Sequence, residues 1–367
     1  MIETMSDTII IPKQHRAIIY DQPGTVSTKV VMVDTPEPGV GEVLIRLTHS
    51  GVCHSDYGIM TNSWSYLPDT ETGQVGGHEG VGKVAKLGPG CEKSGLNVGD
   101  RVGVKWLAST CGSCVMCYSG METTCPKSTI SGFRTPGTFQ EFVLGPANYV
   151  TPIPDGLESA NAAPMLCAGL TIYSALKRSE AKPGDFVIVS GAGGGLGHVA
   201  VQLGSRGLGF RIIAIDRVSK KDLVMKSGAE HFVDMDEFSD NESLVNHVLE
   251  LSGGLGAHAA IVCPADNKAY ETELLMLRPN GALVCVGVPE GQMQAIASAN
   301  PAVIIFKQLK IKGSAVGTRE EAIKTLDFAA RGIIDPHVTV ANMEDLTGVF
   351  HKMHGGGLKG RVVIDMS

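Results

Sequence analysis

The chain has 367 residues, of which 43% are hydrophobic, with 31 Lys and Arg against 38 Asp and Glu and a formal net charge of -7. Such a chain can bury a large core and is expected to form two domains, which excludes a disordered polypeptide. The acidic balance excludes a broad nucleic-acid or anionic-membrane footprint, so the expected partners are small molecules, with no nucleic acid and no membrane.

At the amino terminus, Glu3, Asp7 and Lys13 surround the apolar run Ile9-Ile10-Ile11, which is too short for a signal-peptide core. No apolar stretch reaches the roughly 18 residues that span a bilayer. The nine cysteines are therefore expected in a reducing, cytoplasmic setting, where clustered thiols bind metal more often than they pair.

Up to about Ile153 the chain is rich in glycine and short β-type runs, such as Val43-Leu44-Ile45 and Gly80 to Val84, broken by turns such as Pro36-Glu37-Pro38-Gly39. This texture predicts an irregular, barrel-like β domain. Within it, Cys53-His54-Ser55-Asp56 follows the apolar segment Leu44 to Val52, and His78-Glu79 sits in a glycine-rich run 25 residues after Cys53. A further thiol, Cys167, lies far downstream. Two thiolates and one imidazole leave a fourth zinc position open, as a catalytic site requires. Taken alone, Cys167 or His78 reads more readily as a core residue; it is the joint occurrence that points to a metal.

Cys111, Cys114, Cys117 and Cys125 follow the spacing C-x2-C-x2-C-x7-C. Four soft donors in one short loop match the closed tetrahedral shell of a structural zinc. An iron-sulfur cluster is the alternative, though the last spacing differs from the bacterial pattern.

From about Gly184, short apolar strands alternate with helical patterns. The strands are predicted at Phe186 to Ser190, Arg211 to Asp216, Glu230 to Val233, Ala259 to Cys263, Ala282 to Val286 and Ile311 to Ala315. Helices are predicted at Gly197 to Leu208, Lys220 to Ser227, Glu242 to Leu251, Asn267 to Leu277, Pro301 to Leu309 and Arg319 to Arg331, with a last strand at Val362-Val363-Ile364. Six strands with intervening helices describe an α/β, doubly wound parallel sheet. Gly191, Gly193, Gly194, Gly195, Leu196 and Gly197 join the first strand to a helix, the setting of a dinucleotide-binding turn. A literal G-x-G-x-x-G is absent because its first position is Ala192, yet Gly194 and Gly197 fall in register. Asp216 ends the second strand, where a carboxylate binds ribose hydroxyls and repels a 2′-phosphate. That favours NAD, while Arg217 beside it leaves NADP open.

Together, GVCHSD, GGHEGVG at 76–82, the four-cysteine lobe, LCAGLT at 166–171, GAGGGLG at 191–197 and GRVVID at 360–365 resemble the zinc-dependent medium-chain alcohol dehydrogenases, most closely their short-subunit, yeast-like branch. The resemblance implies a GroES-like catalytic domain over residues 1–165 and 318–367, with a structural-zinc lobe near 106–130, and a six-stranded Rossmann domain over residues 166–317. It implies two zinc ions per subunit: a catalytic one on Cys53, His78 and Cys167, and a structural one on Cys111, Cys114, Cys117 and Cys125.

The same resemblance implies that Asp56 orients His78, that Glu79 sits beside the metal or serves as a buried ion-pair partner, and that Ser55 passes on the alcohol proton. His54 and Arg361 would contact the cofactor pyrophosphate, Lys221 a ribose, and Thr171 and Val286 the nicotinamide end. Trp64 and Trp106 would wall the substrate pocket, with Val288 leaving it roomier than in relatives that carry methionine. Gly58 stands where many relatives have a histidine that ends the proton relay. The spacing from Cys53 to His78 is two residues longer than in yeast-like enzymes, so ethanol need not be the natural substrate. The expected activity is reversible oxidation of a primary, bulky or secondary alcohol with NAD by a homotetramer. An aldehyde reductase using NAD(P)H and a non-catalytic zinc scaffold are the competing readings. Cys91, Cys263 and Cys285 are expected to pack.

Overall fold

The computed structural model describes residues 9–133 and 135–367, so Glu3 and Asp7 of the amino-terminal reading lie outside it. The chain divides into two compact units, Met1–Cys167 with Thr318–Ala330 and Val338–Ser367, and Ala168–Gly317 with Arg331–His337.

The spine of the first unit is the strand Glu42–Gly51. It pairs antiparallel with Gly80–Leu87, with Phe142–Pro146 and, at its far end, with Arg361–Asp365. Val43, Leu44, Ile45 and Leu47 are at most 1% exposed. Burial on both faces of the spine explains why the run Val43-Leu44-Ile45 is continuously apolar rather than alternating. Beyond Gly51 the chain enters the helix His54–Met60, whose N-cap is Cys53; the Asp56 carboxylate accepts from the Cys53 N–H at 3.0 Å. The strands Leu107–Ser109 and Thr129–Ile130 pair antiparallel, so the four-cysteine segment is the excursion between them.

The second unit is a six-stranded parallel sheet in the spatial order His231–Asp234, Arg211–Asp216, Phe186–Ser190, Ala257–Val262, Leu277–Cys285, Lys310–Gly313. In chain order this is 3-2-1-4-5-6, and the direction of winding reverses beside the first strand. That switch point is where open α/β sheets bind ligands. All five residues of Phe186–Ser190 are buried, as a central parallel strand requires.

Several predicted helix ends differ by one or more residues, among them Pro301–Lys307, which stops two residues early, and two of them have a visible cause. The helix that opens at Gly197 is regular only to Gln202 and continues as a π-helical turn over Leu203–Gly207, within which Gly204 packs so closely that a Cβ there would meet Ile212 Cδ1 at 2.8 Å. The helix Asn267–Leu275 stops short of Leu277, which opens a strand and pairs with Ala257; sheet pairing overrides local propensity there. No helix among the described residues is long and apolar enough to cross a membrane.

Candidate metal and dinucleotide sites

Cys53 caps its helix, His78 follows the turn at Gly76-Gly77, and Cys167 ends the short helical turn Ala163–Leu166. Long-range folding in the first unit brings their ligand atoms, and a carboxylate oxygen of Glu79, within 4.8 Å of one another. The sulfurs of Cys53 and Cys167 are 3.9 Å apart and His78 Nε2 is 3.3 Å from Cys167 Sγ. Zinc bonds of about 2.3 Å to sulfur and about 2.0 Å to nitrogen at tetrahedral angles give separations of about 3.8 and 3.5 Å. The donor set therefore fits zinc, with one position left for a further ligand.

The surroundings prepare these donors. His78 is fully buried, and its Nδ1 bonds Asp56 Oδ1 at 2.8 Å, leaving Nε2 for the metal. Burial opposes charge on His78, but Asp56 outweighs it and raises the imidazole well above its usual value. The thiol hydrogen bond from Cys167 holds Cys53 well below the usual thiol range against the effect of burial, while that bond and burial push Cys167 well above it. A metal bound here would displace the thiol protons.

Glu79 is fully buried and forms an ion pair with Arg361, itself 6% exposed. Burial pushes the Glu79 carboxyl up to about 7, with Arg361 opposing. Of the two sequence readings of Glu79, the structure displays the buried ion pair, while the carboxylate still lies within the ligand cluster.

In the lobe, four sulfur pairs lie close together: Cys111 with Cys125 and Cys114 with Cys117 at 3.6 Å, Cys114 with Cys125 at 3.9 Å, and Cys111 with Cys117 at 4.0 Å. These separations match the edges of a thiolate tetrahedron sized for a zinc ion and lie far beyond the S–S bond of about 2.05 Å. All nine cysteines are free thiols.

In the second unit, Gly191 takes φ +59° and begins the turn after the first strand. A Cβ on Gly197 would meet Gly191 O at 2.1 Å, so only glycine lets the helix start this close to the turn. Asp216 reaches back to this turn: its Oδ2 accepts from Gly193 N–H at 2.7 Å and its Oδ1 from Arg217 N–H at 2.8 Å. The Arg217 side chain pairs with Asp236 at 3.6 Å. Lys221 opens the helix Lys221–Ser227, and Thr171 lies 7% exposed in the helix Ala168–Arg178. Val286 is half-buried and Val288 is exposed.

Trp106 stands edge-on to His78 with ring centres 4.8 Å apart. Trp64 is buried, and its ring covers Gly58 so closely that a Cβ there would meet it at 3.0 Å. Ser55 is half-buried and His54 exposed, with the His54 ring 5.4 Å from that of Tyr57. Four buried charged groups escaped sequence reading, Lys105, Glu122, Glu273 and Glu321. Nothing in their local sequence marks them, and only the fold shows that they are buried.

Comparisons with known proteins identify the family. The family described as "Alcohol dehydrogenase GroES-like domain" matches residues 39–155, and that described as "Zinc-binding dehydrogenase" matches residues 195–331. An alcohol dehydrogenase 2 of Emericella nidulans is 60% identical over 97% of this chain and 99% of its own. An alcohol dehydrogenase of Schizosaccharomyces pombe is 38% identical over 97% and 98%. Among solved structures, an acetophenone reductase of Geotrichum candidum in complex with NAD superposes with a TM-score of 0.83 at 26% identity, covering 97% of this chain and 98% of that one. The chain belongs to the zinc-dependent medium-chain alcohol dehydrogenases.

Proposed function

We propose that this protein is an NAD-dependent alcohol dehydrogenase, interconverting an alcohol and NAD+ with an aldehyde or ketone, NADH and a proton. The observation that carries this reading is the convergence of Cys53, His78 and Cys167 at zinc distances with one position left open. Zinc held there supplies Lewis acidity that brings the pKa of an alcohol toward neutrality. A second ion, on Cys111, Cys114, Cys117 and Cys125, stabilises the lobe.

The chain's own residues do the rest. Asp56 fixes the His78 tautomer through the 2.8 Å bond to Nδ1. Ser55 accepts a hydrogen bond from the substrate hydroxyl and, as it takes that proton, releases its own toward a cofactor ribose hydroxyl; with Gly58 in place of an imidazole the relay ends in water or another group. Glu79 and Arg361 balance each other's charge within the ligand cluster. Trp64 and Trp106 narrow the pocket.

The glycine turn at 191–197 offers backbone N–H groups and a helix start to a pyrophosphate. Asp216 and Lys221 take the adenosine ribose, the carboxylate favouring NAD over NADP. Thr171, Val286 and Val288 line the nicotinamide side. Nine free thiols suit a reducing cytoplasm.

A homo-oligomer is part of the same reading. Lys310–Gly313 is an edge strand of the sheet, and beside it Ile305 and Phe306 are 67% and 86% exposed. An unpaired edge flanked by apolar side chains suits pairing with a second copy.

The test is metal content by elemental analysis together with NADH formation from primary, branched and aromatic alcohols, in wild type and Cys167→Ala. Two zinc ions per chain, falling to one with loss of turnover in the variant, support the assignment. A single zinc and no turnover with either NAD or NADP would leave a non-catalytic scaffold.

A further inference from the structure

Lysine is rarely buried without a partner, and nothing in the proposed chemistry uses Lys105, which is only 2% exposed. It stands between the strand Arg101–Val104 and Trp106, the residue that faces His78. Its Nζ donates to Tyr149 O at 2.8 Å and lies 3.8 Å from the centre of the Tyr149 ring. The guanidinium of Arg319 lies 4.9 Å from the centre of the same ring. Arg319 in turn donates its backbone N–H to Glu122 Oε1 at 2.6 Å and its Nε to Glu122 Oε2 at 3.2 Å. Glu122, 6% exposed, belongs to the four-cysteine lobe, between Cys117 and Cys125.

The same short segment is gripped by the other end of the lobe. Ser131, just past the returning strand Thr129–Ile130, donates its hydroxyl to Lys105 O at 2.9 Å and its N–H to Trp106 O at 3.0 Å. The lobe therefore leaves the domain directly after Trp106 and returns onto it. One tyrosine ring shared by the Lys105 amine and the Arg319 guanidinium, the latter held by a lobe carboxylate, ties this base to the helix Arg319–Ala330. Desolvating an ammonium here is costly, and an apolar residue of similar length would fill the space more cheaply. The amine provides a directional bond that fixes the register of the Lys105-Trp106 segment.

We propose that Lys105 is a positioning residue for substrate selection, anchoring Trp106 against His78 and linking the shape of the substrate wall to the four-cysteine lobe through Tyr149, Arg319 and Glu122. This rests on the reading of Trp106 as a pocket wall. Lys105 itself touches no substrate. Freeing its end lets the indole tilt, which changes the space for branched and aromatic substrates more than for slim ones.

The experiment compares Lys105→Met and Glu122→Gln, both close in shape to the native side chains. With only two tryptophans in the chain, a Trp64→Phe background leaves Trp106 as the sole indole, so its emission wavelength and quenching report its packing. Kinetics are measured separately with Trp64 retained, alongside zinc content and thermal stability. The expected result is shifted Trp106 emission in both variants at unchanged zinc content. The ratio of KM for an aromatic alcohol to KM for ethanol should change by about fivefold or more, with kcat for ethanol within about twofold. Unchanged emission and an unchanged KM ratio, with only a lower melting temperature, would overturn the proposal and leave Lys105 a structural residue. If Lys105→Met does not fold, Glu122→Gln decides alone. If wild type oxidises no alcohol, the dehydrogenase reading fails, while the emission measurement still decides whether this cluster holds Trp106.

Discussion

Glu273 offers a quantitative check on the second unit. It lies in the helix Asn267–Leu275, is 3% exposed, and its Oε2 has no hydrogen-bond partner among the described residues. Burial pushes its carboxyl from 4.5 up to about 8, with the Ser190 hydroxyl pulling the other way and Asp266 adding to the rise. Between those values the folded chain holds a proton that the unfolded chain has released. The stability this group contributes is therefore fully present below the unfolded value and is lost as pH rises toward 8. At about 1.4 kcal/mol per pH unit, the loss is about 1 kcal/mol at pH 5 and about 3 kcal/mol at pH 7. Glu273→Gln keeps the shape and removes the titration, so its stability relative to wild type should improve by about 2.5 kcal/mol between pH 5 and pH 7. Urea unfolding followed by far-ultraviolet circular dichroism at both pH values, at fixed salt and metal, measures this directly. Because both chains are compared at each pH, other titrating groups cancel. A difference between variant and wild type that stays the same at the two pH values would refute the assignment of a buried neutral acid.

Three further outcomes test the sites. Asp56→Asn removes the charge that orients His78, so competition with a chelator should show the zinc at Cys53, His78 and Cys167 bound about 10- to 100-fold more weakly, with the lobe ion unaffected. Asp216→Ser lifts the repulsion of a 2′-phosphate while leaving a hydroxyl for Gly193 N–H; the kcat/KM ratio of NADP to NAD should rise by about tenfold or more, and an unchanged ratio would count against Asp216 as the ribose residue. Gly58→His should fail to speed turnover at low pH, because its Cβ would press on the Trp64 ring at 3.0 Å, and a changed pocket should appear as altered KM values across the alcohol panel.

The alternation of apolar strands with helices came from periodicity, because a parallel sheet covered on both faces needs uniformly apolar strands such as Val187-Ile188-Val189. The lobe was legible as a candidate ion site from donor chemistry, since four thiols at short spacings have few other uses in a reducing setting, and the fold brings their sulfurs together. The glycine turn was legible because Gly191 and Gly197 satisfy local backbone demands that no other residue meets.

What required the tertiary structure involves partners far apart in sequence. Glu79 meets Arg361 across 282 residues, and Glu122 meets Arg319 across 197. The end of the helix at Leu275 was settled by pairing of Leu277 with Ala257. The burial of Lys105 and Glu273 was likewise hidden, because desolvation depends on every element packed around a group, whereas sequence pattern records only its neighbours along the chain.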